Sequence, residues 1–100
     1  MAEVVEQGVL STGGTVIFTG TSSSVCAKVF NIRINNSSAY TITLQRYEAA
    51  TSTTTTIYSV TLSAGDTLTD NLGYALFLGD QLIITSNIAN STYYAYILTP

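Results

Sequence analysis

The strongest constraint in this sequence is its load of β-branched side chains. Thr (17), Ile (9) and Val (7) make up 33 of its 100 residues. Branching at Cβ restricts χ1 in a helix and suits the pleated surface of a strand, so the chain is biased towards sheet before any pattern is considered. The pattern agrees. No window repeats apolar residues at i, i+3, i+4 and i+7 over three turns, whereas period-two runs bounded by turn residues recur along the chain.

The runs predict short strands over residues 3–10, 15–19, 26–35, 40–48, 57–62, 67–72, 74–78, 82–86 and 93–98. In the third, Phe30, Ile32 and Ile34 share one face, and Val29, Asn31 and Arg33 take the other. In the fourth, Tyr40, Ile42 and Leu44 alternate with Thr41, Thr43 and Gln45. Residues 35–39 (NNSSA) read as a polar turn. The start of the threonine tract 51–56 reads as a hairpin tip, and its end feeds the next strand. About eight short strands with regular turns predict an all-β fold: one small antiparallel β-sandwich, Ig-like or jelly-roll-like, spanning residues 1–100. The expected core is Phe18, Phe30, Ile32, Ile34, Ile42, Leu44, Val60, Leu62, Leu76, Leu82 and Ile84. Cys26, among strand formers, reads as a small buried hydrophobe.

Only 9% of residues are charged, and the net charge is −3. Lys28, Arg33 and Arg46 are too few and too scattered to neutralise a phosphate backbone or a membrane surface, so neither nucleic acid nor membrane is an expected partner. The absence of His removes the usual neutral-pH general base. One Cys and no His exclude a His/Cys zinc site and an internal disulfide. The six acids (Glu3, Glu6, Glu48, Asp66, Asp70 and Asp80) show no pairing that suggests a glycosidase or a calcium cage. No catalytic, cofactor-binding or metal-binding residue is expected. The N-terminal MAEVVEQGVL has acids where a signal peptide needs cations, so the expectation is a chain made and folded in a cytoplasm.

A near-repeat stands out. Leu62-Ser-Ala-Gly65-Asp66-Thr-Leu68 and Leu76-Phe-Leu-Gly79-Asp80-Gln-Leu82 both read L-x-x-G-D-x-L. The expected meaning is strand, tight turn, strand. Gly supplies positive φ, Asp bonds backbone N–H groups just after the turn, and the flanking Leu residues return to the core. Gly65, Asp66, Gly79 and Asp80 are therefore assigned as structural turn residues.

The order NIRINNSSAYTITLQRYEA, then IYSVTLSAGDTLTDNLGYALFLGDQLIITS, then an aromatic last strand resembles small β-sandwich virion proteins of tailed bacteriophages, including those of crAss-like phages. The likeness covers roughly residues 9–97 and departs in the threonine tract and in the doubled Tyr93-Tyr94. It implies a non-enzymatic structural protein of the particle without placing it on capsid, neck or tail; the leading expectation is a capsid decoration or auxiliary protein. Collar, tail or fibre components are alternatives, and the abundance of Tyr, Thr and Asn on the expected surface motivates a further one, a small carbohydrate-binding or adhesive module. The partners implied are other virion proteins (major capsid, portal or collar, tail), further copies of the chain, and a host surface glycan.

Sparse charge on the first and last strands predicts edges covered by other subunits. On a strand, Tyr93 and Tyr94 face opposite sides, so one should leave the core. Val4, Val5, Val9, Tyr47 and Tyr93 are the expected contact residues, and residues 1–12 an extended contact segment.

Overall fold

The computed structural model describes residues 2–21 and 27–99. Among them are nine strands and no helix: β1 (Ala2–Val9), β2 (Thr15–Thr19), β3 (Ala27–Asn35), β4 (Tyr40–Glu48), β5 (Thr53–Leu62), β6 (Thr67–Asp70), β7 (Tyr74–Leu76), β8 (Gln81–Ser86) and β9 (Thr92–Thr99). They pair antiparallel in two sheets. One runs β1-β9-β3-β6, with β7 also on β3, and the other runs β2-β8-β4-β5. β6 and β7 follow one another along the same side of β3, Ile32–Asn35 pairing with the first and Ala27–Val29 with the second. Counted as one position, they complete a two-by-four arrangement. Nearly every connection crosses between sheets; the β4–β5 hairpin and the β6–β7 step stay within one. This is the jelly-roll topology, so the sandwich is of that kind and not Ig-like.

The two inner faces close over Leu10, Ile17, Val29, Ile32, Ile34, Tyr40, Ile42, Leu44, Leu76, Leu82, Ile84, Ala95 and Ile97, all buried. Burial of each large aliphatic side chain contributes about 1.5–3 kcal/mol. β4 and β8 show the expected strict alternation, burying Tyr40, Ile42 and Leu44 and then Leu82, Ile84 and Ser86.

Where the expected core fails, a bulge is the main reason. A register shift between Val16 and Phe18 puts Ile17 inside and leaves Phe18 half-buried. A second shift, between Val29 and Asn31, reverses parity within β3, so Val29 is buried along with Ile32 and Ile34. One extra residue in a strand flips every side chain beyond it, which simple alternation cannot anticipate. Val60 and Leu62 lie on the inner face of the outermost strand and are half-buried. Cys26 and the Phe30 side chain lie outside the described residues.

The last strand is not an edge. β9 pairs with β1 along eight residues and with β3 on its other side. An interior strand has no free edge to protect, which accounts for its lack of charge without a covering subunit. Nor do residues 2–9 form a free arm: β1 is laced to β9 from Ala2↔Thr99 to Val9↔Thr92.

Buried polar side chains secure both ends. Asn36, within the NNSSA segment, is buried rather than solvated. Its Nδ2 donates to the Ala89 carbonyl (3.1 Å) and Ser91 Oγ (3.0 Å), and its Oδ1 accepts from the Ser38 N–H (2.9 Å). Ser91 in turn meets Ser86 at 2.7 Å. The Tyr40 hydroxyl donates to the Asp66 carbonyl (2.6 Å), with the Ile34 carbonyl at 3.1 Å. Three loops (36–39, 63–66 and 87–91) are thereby tied together at one end.

Candidate interaction surfaces

The two L-x-x-G-D-x-L segments build the same turn at opposite ends of the sandwich. In each, the Asp N–H donates to the carbonyl three residues earlier: Asp66 to Ser63 at 3.1 Å, Asp80 to Phe77 at 3.0 Å. Gly65 (φ 79°) and Gly79 (φ 84°) occupy the position where a type II turn needs positive φ.

Their carboxylates differ. Asp66 is exposed, and its carbonyl is the atom used, by Tyr40 and by Asn35 Nδ2 (3.1 Å). Asp80 is buried. Its Oδ1 accepts from the Ala49 N–H (3.0 Å), and its Oδ2 accepts from the Phe77 N–H (3.1 Å) and Arg46 Nη2 (2.5 Å). The N–H groups bonded thus lie before the turn and on the β4–β5 hairpin, not just after the turn as expected. The reason is position: β4 delivers Arg46 and the Ala49 amide to the end where Asp80 sits, and places nothing comparable beside Asp66. Leu76 and Leu82 are fully buried, whereas Leu62 and Leu68 are half-buried against the core.

A third polar cluster makes the jog between β6 and β7. The buried Asp70 carboxylate accepts from the hydroxyls of Tyr58 (2.7 Å) and Tyr74 (2.5 Å) on Oδ2, and from the Leu72 N–H (2.9 Å) on Oδ1. Burial first, then the hydrogen bond to Asp70 and its charge, raise both phenols well above their ordinary value near 10. The folded state therefore holds these protons more tightly than the unfolded chain does. Their contribution is intact below about pH 10 and is lost as the pH climbs from there through the folded-state values. Thermal melts should accordingly show a midpoint that begins to fall near pH 10, and Tyr58→Phe should make that fall shallower while costing about 1 kcal/mol at neutral pH. A wild-type midpoint that stays level to about pH 12 would contradict this assignment.

Among the described residues the free edges are β1 and the outer side of β6 and β7 in one sheet, and β2 and β5 in the other. β5 is the longest strand, ten residues without charge or proline. Its one blunting device is a bulge at Ile57, where the pairing steps from Leu44↔Tyr58 to Gln45↔Thr56. Most of the threonine tract is strand here, with Thr53–Thr56 paired to Gln45–Glu48.

Four of the expected contact residues lie on sheet β1-β9-β3-β6, divided between its two sides, and Tyr47 lies on β4 in the other sheet. Val5 and Val9 are exposed, at 50% and 60%, while Val4 is turned inward and packs on the core. Tyr93, expected to reach outward, is the inward member of its pair and packs on the core, because Ala95 and Ile97 set the parity of β9; Tyr94 is the exposed one. Tyr47 is half-buried, paired with Thr54 and Gln81.

Two apolar features carried no signal as sequence. Phe77 (51% exposed) and Leu78 (57%) project from the β7–β8 turn. A groove of about 390 Å³ opens between β5 and β6, lined by Tyr58, Val60, Leu68 and Thr69, with Leu72 (83% exposed) at its rim. Each residue reads locally as ordinary strand or turn; only the gap between two sheet edges turns them into a groove.

Among the described residues no three or more acids, Cys or His gather as metal ligands. No family model and no curated protein matches the sequence. A solved structure described as "Bacillus endospore appendages form a novel family of disulfide-linked pili" is similar in fold, with a TM-score of 0.59 and 11% identity. The match covers 96% of this chain and 81% of that one. The likeness is one of fold: a small all-β sandwich that also occurs in a structural appendage protein.

Proposed function

We propose that this chain is a non-enzymatic structural subunit that associates with copies of itself and with neighbouring proteins in an extracellular particle or appendage. The observation that carries the proposal is β5, ten uncharged residues along an open sheet edge. Stably monomeric β proteins guard such edges with charge, proline, bulges or a covering element, and of these β5 has the one bulge at Ile57. The fold likeness to an appendage subunit agrees with this role. Our reading goes on to the virion of a tailed phage, with the capsid surface as first location and collar, tail or fibre as alternatives; its support is the resemblance of the sequence to phage β-sandwich proteins.

The appendage structure is described as disulfide-linked. A continuous covalent chain needs two bonding cysteines per subunit, and these 100 residues contain one. With a single cysteine these residues cannot be disulfide-linked into a continuous chain, so extended association rests on non-covalent contacts. Size-exclusion chromatography with light scattering should show concentration-dependent association that survives reductant, and mass spectrometry of purified phage particles should detect the protein. A monomer at millimolar concentration overturns the assembly reading, and absence from particles overturns the virion reading.

A further inference from the structure

The turn bearing Phe77 and Leu78 is held more firmly than an exposed loop needs to be. Besides the Asp80 side-chain bonds, Gly79 N–H donates to the Gly20 carbonyl (2.9 Å) and Gly20 N–H to the Asp80 carbonyl (2.8 Å). This fixed scaffold presents two adjacent large apolar side chains, each more than half exposed, to solvent. An apolar feature held in one geometry loses little conformational freedom on docking, and an exposed apolar patch of this kind marks an interaction site.

The groove between β5 and β6 has complementary character. Its walls are mainly apolar, and its one charged group, Asp70, is already bonded to two hydroxyls and an amide, so an apolar occupant would strand no unpaired charge. At about 390 Å³ it falls within the range of side-chain- and ligand-sized sites. The turn cannot fold back into the groove of its own molecule. Between them lies β7, pinned to β3 through Ala27↔Leu76 and Val29↔Tyr74.

We infer that the Phe77–Leu78 turn of one copy docks in the β5–β6 groove of a second copy. The inference rests on the assembly reading above and deepens it. Turn and groove are different patches, so the contact is heterologous: each copy offers a knob to one neighbour and a groove to another, and the product is an open chain or a ring.

Two full-length variants test it, Phe77→Ser in the turn and Leu72→Arg at the groove rim. Both side chains are largely exposed, and circular dichroism should show unchanged melting. By sedimentation velocity, wild type should self-associate, and each variant alone about tenfold or more weakly. An equimolar mixture should form a one-to-one complex, because Phe77→Ser retains its groove and Leu72→Arg retains its knob. If either variant melts early, Leu78→Ser replaces Phe77→Ser and Asn71→Arg replaces Leu72→Arg. Variants that associate like wild type, or a mixture no more associated than its components, overturn the inference and leave the assembly reading standing. A wild type that does not associate overturns both.

Discussion

Gly20→Ala should abolish or nearly abolish folding. A Cβ built on Gly20 would lie 1.9 Å from the Phe77 carbonyl oxygen and 2.7 Å from the carbonyl carbon. Both are backbone atoms, so no side-chain rotation relieves the overlap. The residues in conflict are those that join β2 to the β7–β8 turn through the Gly20–Gly79 and Gly20–Asp80 hydrogen bonds. Separating them loses those bonds and tilts Asp80 away from Arg46. The expected cost is about 4 kcal/mol or more, against a total stability of about 5–15 kcal/mol for a domain of this kind. Gly13→Ala is the control: a Cβ there meets nothing within 4 Å, and stability should shift by less than about 0.5 kcal/mol. Urea titration of the two variants side by side is decisive. A Gly20→Ala protein as stable as the control would mean that the close approach of β2 to the turn is wrong.

Asp80→Ala should cost nearly as much, and Asp66→Ala almost nothing, although the two residues hold the same place in the repeated motif. The Asp80 side chain is 4% exposed and that of Arg46 25%, so the pair is shielded from water well beyond a surface ion pair. Removing the carboxylate leaves a mostly buried guanidinium with Glu48 at 3.4 Å as its remaining acid, and leaves the N–H groups of Phe77 and Ala49 without this acceptor. Breaking one partner of a buried pair costs about 3–5 kcal/mol. The Asp66 carboxylate is exposed, and the bonds made there use its backbone carbonyl, which alanine retains. Its removal should fall within about 0.5 kcal/mol of wild type. Equal losses for the two variants in chemical denaturation would refute the difference in role.

These two residues show how far a motif can be read. The L-x-x-G-D-x-L spacing correctly marks two turns with glycine at positive φ, because that requirement is met within four residues. Whether the following Asp is a buried ligand or a solvated side chain depends on what another strand brings to it. Arg46 and Ala49 are more than thirty residues away in the chain, and no local pattern links them to Asp80. Asn36 is a similar case. In an NNSSA segment it looks like turn polarity, yet Ala89 and Ser91, more than fifty residues on, make it a buried clamp.

Taken alone, the sequence determined the kind of object: β-branched side chains at period two dictate strands and the turns between them, through steric preferences that act within a few residues. Strand order, the bulges that reverse parity in β2 and β3, the interior place of β9, the open β5 edge and the groove beside β6 came only from tertiary structure. Pairing partners are chosen by contacts across the whole chain, and any strand of suitable length and polarity satisfies the local rule equally well.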